Sequence, residues 1–315
     1  MKPQLLQIHH ADPEAIRAEL LAGLQATPAT IAPKYLYDAL GARLFAAITE
    51  LPEYYPTRTE ATIFARQAQT MAACLPAFDT LVDLGAGNCE KAARLFAPFG
   101  VRRYMAVDIS VDYLRDSLDI LRRQHPHMEL LGVGLDFSTR LVLPAAAGPG
   151  PRLLFYPGSS IGNFTPDEAL AFLRQARIAC HGGGLLIGVD LAKPVDVLEA
   201  AYDDPLQVTA AFNRNMLLHV GRLASADFSL ADWKHVAFFN RELSRIEMHL
   251  EAVRDVTVRW PEGERHFAAG ARIHSENSYK WRINDFTALL QNAGFSAIRQ
   301  WTDEQGWFAV FLAKT

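Results

Sequence analysis

The chain has 315 residues, half of them hydrophobic and 21% charged, a composition that suits a globular protein with a large buried core. Its formal net charge of −4 and pI near 6.2 exclude the broad basic surface that neutralises phosphates or anionic lipid. Neither nucleic acid nor a membrane is therefore expected as a partner, and no window approaches the run of about 18 apolar residues that a membrane helix needs.

At the N-terminus, His9, His10, Asp12 and Pro13 interrupt the chain before an apolar run can form, so no signal peptide is expected. Three cysteines, Cys74, Cys89 and Cys180, lie far apart without CxxC spacing. That pattern argues against a disulfide framework or a structural zinc site and fits a reducing, cytoplasmic setting. Short continuous apolar runs then recur at 80–85, 103–108, 152–158 and 184–190. Each predicts a strand buried on both faces of a parallel sheet.

Helical patterns alternate with these runs. Leu114, Leu118 and Leu121 recur at helical spacing after Ser110, and Thr165-Pro-Asp-Glu168 is a capping box with proline at the first helical position. The alternation predicts an α/β, doubly wound sheet. The segment Pro144 to Arg152, rich in Pro and Gly, reads as a surface loop. Near the C-terminus, Ser296 to Thr302 and Trp307 to Leu312 are strand-like and joined by Asp303-Glu-Gln-Gly306, which predicts an antiparallel hairpin.

Residues 191–282 break the alternation and read as an inserted subdomain that carries substrate specificity. The expected organisation is thus 1–60 as the N-terminal part of that subdomain and 61–190 as the cofactor-binding domain. The insertion follows at 191–282, and 283–315 completes the cofactor domain.

Asp83-Leu-Gly-Ala-Gly-Asn88 follows the first apolar run and precedes a helical segment. Gly85 and Gly87 there would let a ligand approach the backbone at a helix N-terminus. A GxG alone is equally a tight turn packed for its own sake. Its context adds Asp108, placed at the end of the next run to accept two ribose hydroxyls, and Asp136-Phe137 after a further strand run before 152, placed to bond and cover an adenine. Three such sites at successive strand ends point to the nucleoside pocket of a class I methyltransferase with a Rossmann-like sheet. Position 90 is Glu where the dinucleotide fingerprint has its third glycine, which disfavours NAD.

The segments Tyr37 to Phe45 and Leu51 to Glu60 resemble the N-terminal signature of the histidine-specific Nα-methyltransferases of ergothioneine biosynthesis, which trimethylate histidine to hercynine. The resemblance continues through Gly158-Ser-Ser-Ile-Gly-Asn-Phe164, Ala201-Tyr-Asp-Asp204, 208–215, 245–250, His274-Ser-Glu-Asn-Ser-Tyr-Lys280 and Trp301-Thr-Asp303. It implies S-adenosylmethionine as cofactor, L-histidine and its partly methylated forms as substrate, and a monomeric enzyme without a metal. Residue by residue, it places Tyr54 and Asn163 at the reacting α-amine, Tyr202 at the substrate carboxylate, and Glu276 and Ser278 at the imidazole. Phe212 and Met248 would wall that ring, and Tyr37, Gly85, Gly87, Lys91, Asp108, Asp136 and Phe137 would surround the cofactor. The aromatic rings of Tyr37, Phe45 and Tyr54 would also tolerate a growing methylammonium.

Asp83, Ala86, Asn88-Cys89 and Ser160 depart mildly from the family pattern and leave the glycines intact. Retention of Glu276 and Ser278 favours histidine over the tryptophan-derived substrates of fungal relatives. Outside the resemblance, Tyr54 and Tyr202 would read as packing residues with satisfied hydroxyls, Phe212 and Met248 as core, Glu276 as a solvated charge and Ser278 as a turn residue. His125-Pro-His127 reads as a polar loop and Cys89 as an inert small residue. The alternatives are a methyltransferase for another amino acid or amine, and a cofactor-binding sensor without catalysis.

Overall fold

The computed structural model describes residues 4–8, 12–109 and 111–315, apart from the side chains of Asp112 and Tyr113. His9, His10 and Ser110, which entered the sequence reading, lie outside them. The strands run in chain order as β1 Gln4–Gln7, β2 Ala29–Thr30, β3 Thr80–Leu84, β4 Arg103–Asp108, β5 Glu129–Gly134, β6 Arg152–Tyr156 and β7 Gly184–Asp190. They continue as β8 Trp233–Asn240, β9 Arg245–Ala252, β10 Val256–Trp260, β11 Gly263–Phe267, β12 Arg272–Tyr279, β13 Ser296–Thr302 and β14 Phe308–Lys314. The α-helices are α1 Pro13–Gln25, α2 Ala39–Thr49, α3 Tyr55–Ala72, α4 Glu90–Ala93, α5 Phe96–Phe99, α6 Val111–Gln124, α7 Pro166–Ala179, α8 Val195–Ala200, α9 Val208–Ala224 and α10 Ile283–Asn292.

The chain divides into two compact units, crossing between them after Thr57, Ala192 and Lys280. The first contains Arg58–Ala192 and Trp281–Thr315 together with β1, and is built on one sheet of order β1-β5-β4-β3-β6-β7-β14-β13. Its strands are parallel except β14, which runs antiparallel to β7, and β13, antiparallel to β14. β3 and β7 are buried at every position, as their unbroken apolar runs require of strands covered on both faces. Leu114, Leu118 and Leu121 of α6 enter the same core as Tyr104, Phe155 and Phe308. The capping box of α7 is formed on both sides, with Thr165 accepting from the Glu168 amide and Glu168 from the Thr165 amide. In the β13–β14 turn, Asp303 Oδ1 accepts the amides of Trp307 and Phe308.

One element departs from expectation. Residues 4–7, assigned by sequence to the substrate subdomain, form β1 and pair in parallel with β5. Four partly exposed residues are too few to show a period. Their place depends on Gly132, where a Cβ would sit 2.5 Å from the Leu5 side chain.

The second unit contains Lys193–Lys280 and, of the N-terminal part, residues 12–57. It is built on a four-stranded sheet of order β2-β12-β9-β8, antiparallel except where β2 joins β12. The long helix α9 buries Phe212, Met216, Leu217 and Val220, and Asp204 caps it by accepting the amides of Val208 and Thr209. Among the described residues, no helix is long and apolar enough to cross a membrane.

Candidate active site

The order of the large sheet reverses at β3, flanked by β4 on one side and β6 on the other. In open α/β sheets, the crevice at the carboxyl ends of strands beside such a switch point is where ligands bind. The loop leaving β3 turns sharply there, with Gly85 at φ +72° and Gly87 at φ +52°. Asp108, at the end of β4, fixes this loop by accepting the Gly87 amide on Oδ2 at 3.0 Å, and Ser117 of α6 donates to the Gly87 carbonyl. Phe137 completes the rim, its ring edge 3.7 Å from where a Cβ on Gly85 would lie. Asp136 beside it accepts the Ser138 amide at 3.1 Å. Gly85, Gly87, Asp108, Asp136 and Phe137 are therefore brought together in one place.

The helix expected after the glycines is present and short. It stops at Ala93 and resumes as α5 at Phe96. Pro98 offers no amide to the carbonyl four residues back and its ring crowds that carbonyl, so a continuous helix cannot form. Four residues of α4 carry little dipole, and anion attraction at this loop rests on amides and on Lys91. Cys89 is buried and its thiol is pushed up to about 12 by burial, so it stays protonated. Burial likewise pushes the Asp83 carboxyl up to about 7, against the 2.7 Å hydrogen bond from the Tyr104 hydroxyl; its Oδ1 is buried without a partner among the described residues.

In the second unit, a β-bulge sorts the chemistry of β12. His274 pairs with His249 and Glu276 with Met248, so Ser275 is an extra residue, anchored by its hydroxyl to the Met248 carbonyl at 3.0 Å. Residues directly opposite in an antiparallel pair share a face. Glu276 and Ser278 therefore join Leu250, Met248 and Ile246, all buried, while His274 turns to the other face. On that other face, ligand atoms of Glu247, His249 and His274 lie within 4.8 Å of one another. Arg245 already occupies Glu247 Oε1 from Nε at 2.8 Å and Nη2 at 2.6 Å, which places a guanidinium where a metal would need charge.

Glu276 is the anomaly of the first face. It is 8% exposed, and its Oε2 is buried with no hydrogen-bond partner among the described residues. Burial pushes its carboxyl up to about 7, with Lys280 pulling the other way. A buried carboxylate left without a partner is costly and calls for a ligand. Beside it, Tyr202 and Ser278 hydroxyls lie 2.7 Å apart, and Lys280 Nζ donates to Ser278 at 2.7 Å and to Tyr202 at 3.1 Å. His235 holds the Tyr202 carbonyl through Nε2 at 2.9 Å. The Tyr54 ring meets Tyr202 edge-on at 6.2 Å and Phe45 at 6.0 Å, while Tyr37, Phe45 and Phe212 lie within 5.9 Å of one another. Such a cluster of ring faces suits a methylated ammonium.

Over residues 16–315 the chain matches the family of histidine-specific, S-adenosylmethionine-dependent methyltransferases. It belongs to that family. It is 42% identical over 309 residues to the histidine N-alpha-methyltransferase of Mycolicibacterium smegmatis, covering 95% of both chains. It is 40% identical over 315 residues to the histidine N-alpha-methyltransferase of Mycobacterium tuberculosis, covering 95% of this chain and 94% of that one. Ergothioneine biosynthesis protein 1 of Schizosaccharomyces pombe is 28% identical over 281 residues, 84% of this chain and 36% of that longer protein.

As a histidine-specific methyltransferase, the chain carries its expected residues in two sets. Gly85, Gly87, Lys91, Asp108, Asp136, Phe137 and Asn163 belong to the first unit, with Asn163 closing a short 3-10 turn after β6. Tyr37, Tyr54, Tyr202, Phe212, Met248, Glu276 and Ser278 belong to the second. Two polar residues escaped the sequence reading. Lys280 lies at i+2 from Ser278, a spacing that already places both on one side of an extended segment. Glu60 is 1% exposed and bonded to Lys91, and nothing local in its helix signals this, because its partners are 31 and 98 residues away.

Proposed function

We propose that this chain transfers methyl groups from S-adenosylmethionine to the α-amine of L-histidine, taking it through the mono- and dimethyl forms to the trimethylated betaine hercynine. The observation that carries the substrate is the buried Oε2 of Glu276, which has no partner among the described residues, beside the Tyr202–Ser278–Lys280 cluster. An imidazole offers one N–H and one lone pair, so a carboxylate can accept the first while a hydroxyl donates to the second. Aliphatic amino acids offer neither. The cofactor fits the first unit: a carboxylate at the end of β4, glycines that permit close approach, and an aromatic ring beside them are the parts a nucleoside needs.

When bound, S-adenosylmethionine supplies a methyl group activated by a sulfonium, so the protein needs neither a metal nor a covalent nucleophile. Its residues contribute binding and orientation, the main resource for an in-line displacement. Asp108 would hold the ribose, Asp136 and Phe137 the base, Glu276 and Ser278 the ring, and Tyr202 the substrate carboxylate. Tyr37, Phe45 and Tyr54 would tolerate the increasing positive character of the amine as methyl groups accumulate. The test is mass spectrometry of purified protein incubated with S-adenosylmethionine and each free amino acid in turn. Histidine alone should gain one, two and three methyl groups in succession; efficient methylation of another amino acid in preference to histidine would reject the proposal.

A further inference from the structure

We infer that Glu60 is a positioning residue for the cofactor, aiming Lys91 at the α-carboxylate of its amino-acid end; this rests on the reading of the β3 loop as the cofactor site. The strand order gives the direction. Asp136 and Phe137 follow β5, Asp108 ends β4, and the next strands across the sheet are β3 and then β6. A nucleoside with its base at the first and its ribose at the second must run its 5′ substituent over the end of β3 toward β6.

Glu60, Lys91 and the turn after β6 meet at that end. Glu60 Oε2 accepts from Lys91 Nζ at 2.7 Å, and Oε1 accepts the Gly158 amide at 2.7 Å. The Glu60 side chain is 1% exposed, whereas that of Lys91 is 40% exposed. The carboxylate thus acts within the protein while the ammonium remains reachable. Gly188 of β7 makes room for it, since a Cβ there would lie 2.1 Å from Oε1. Gly158, at φ +78°, lies under the ammonium, with its Cβ position 3.3 Å from Nζ. One carboxylate therefore fixes both the lysine head and the left-handed turn beneath it. An ammonium has three donors, and Glu60 takes one, orienting the rest. The class of ligand this suits is an α-amino-acid carboxylate on a nucleoside 5′ chain.

Two product-side ligands separate this role from general support of the fold. S-adenosylhomocysteine carries the amino-acid end and 5′-methylthioadenosine lacks it. Calorimetric titration of both into wild type, Glu60→Gln, Glu60→Asp and Lys91→Met, with thermal melts to establish folding, is the experiment. Glu60→Gln keeps an acceptor for Gly158 and removes the negative charge that faces Lys91. S-adenosylhomocysteine should bind tenfold or more weakly to Glu60→Gln and to Lys91→Met, while 5′-methylthioadenosine changes less than twofold. If Glu60→Gln does not fold, Glu60→Asp, which retains the charge but retracts it, should show the same split at smaller size. Unchanged S-adenosylhomocysteine binding, or an equal loss for both ligands, overturns the role of Glu60. A loss in Glu60→Gln without one in Lys91→Met overturns the aiming of Lys91. An Asp108→Ala variant that binds both ligands like wild type would instead remove the cofactor reading itself.

Discussion

Lys280 follows Ser278 by two residues on the same side of the β12 segment and donates to its hydroxyl at 2.7 Å, while also donating to Tyr202 at 3.1 Å. Each oxygen yields a lone pair to the ammonium and one hydroxyl proton is spent between the two oxygens, so the remaining hydroxyl proton is biased toward donating to a ligand. It favours a carboxylate or an unprotonated ring nitrogen over an N–H. Lys280→Met, similar in length and uncharged, should lower kcat/KM for histidine by at least about tenfold, the worth of one charge-assisted hydrogen bond. Affinity for S-adenosylhomocysteine should stay within about twofold. Steady-state kinetics with parallel calorimetry checks both, and an equal fall in the two quantities would mean that the substitution damages the fold.

Asp108 is tied to the glycine loop as well as placed for a ribose, because its Oδ2 accepts the Gly87 amide. Asp108→Ala should therefore weaken S-adenosylhomocysteine by at least about tenfold, from hydrogen bonds worth roughly 1.5–3 kcal/mol each. Asp108→Asn retains an oxygen that can accept from Gly87 and should lose less. Calorimetry that finds the two variants equally impaired would assign the effect to the charge of the carboxylate facing the ribose rather than to loop order.

The ligand-free protein should be stabilised by Glu276→Gln at neutral and higher pH. The carboxyl titrates near pH 7 in the folded chain, above its ordinary 4.5. Between these values the native state holds a proton that the unfolded state has released, so stability falls as pH rises through this window. The deficit is complete above pH 7 and absent below about 4.5. Removing it should raise the melting temperature at pH ~8, by an amount worth at most about 3 kcal/mol, with the gain shrinking toward pH 5. A melting temperature in Glu276→Gln that is lower than wild type at every pH would show that the carboxylate has a partner the geometry lacks.

Much of the first unit was legible because its signals are local. Unbroken apolar runs announce β3, β4, β6 and β7, glycines at 85 and 87 announce a turn that needs positive φ, and Asp303 lies in the turn it closes. β1 escaped because its identity depends on a partner, β5, far along the chain. α4 is short because Pro98, beyond its end, cannot continue it. In β12, the rule that alternate residues share a side held for Glu276 and Ser278 and failed for His274, since the bulge at Ser275 is set by pairing with β9. The family resemblance supplied Tyr54, Tyr202 and Glu276, which composition and spacing would have left as packing and surface. It passed over Glu60 and Lys280, whose roles come from contacts with other polar groups.

The sharpest test of substrate choice is Glu276→Ala. Glu276 Oε2 is buried without a partner among the described residues, and a histidine ring would supply the N–H it lacks. A hydrogen bond to a charged group is worth about 1.5–3 kcal/mol, so kcat/KM for histidine should fall roughly 10- to 150-fold, with S-adenosylhomocysteine affinity near wild type. Phenylalanine and tryptophan should move the other way. In wild type a buried carboxylate faces a ring that offers it no hydrogen bond, and removing the carboxylate removes that mismatch. The acid limb of the pH profile separates this from a simple loss of packing. As pH falls through about 7, the carboxyl gains its proton and stops acting as a charged acceptor, so the wild-type kcat/KM should decline. The imidazole of free histidine titrates nearby, around 6.5, but it does so equally for both enzymes. The ratio of wild type to Glu276→Ala should therefore be largest above pH 7 and shrink below it. Competition between histidine and phenylalanine, run across that range for both proteins, measures the preference directly, and a preference for histidine that survives the substitution undiminished would place the ring elsewhere.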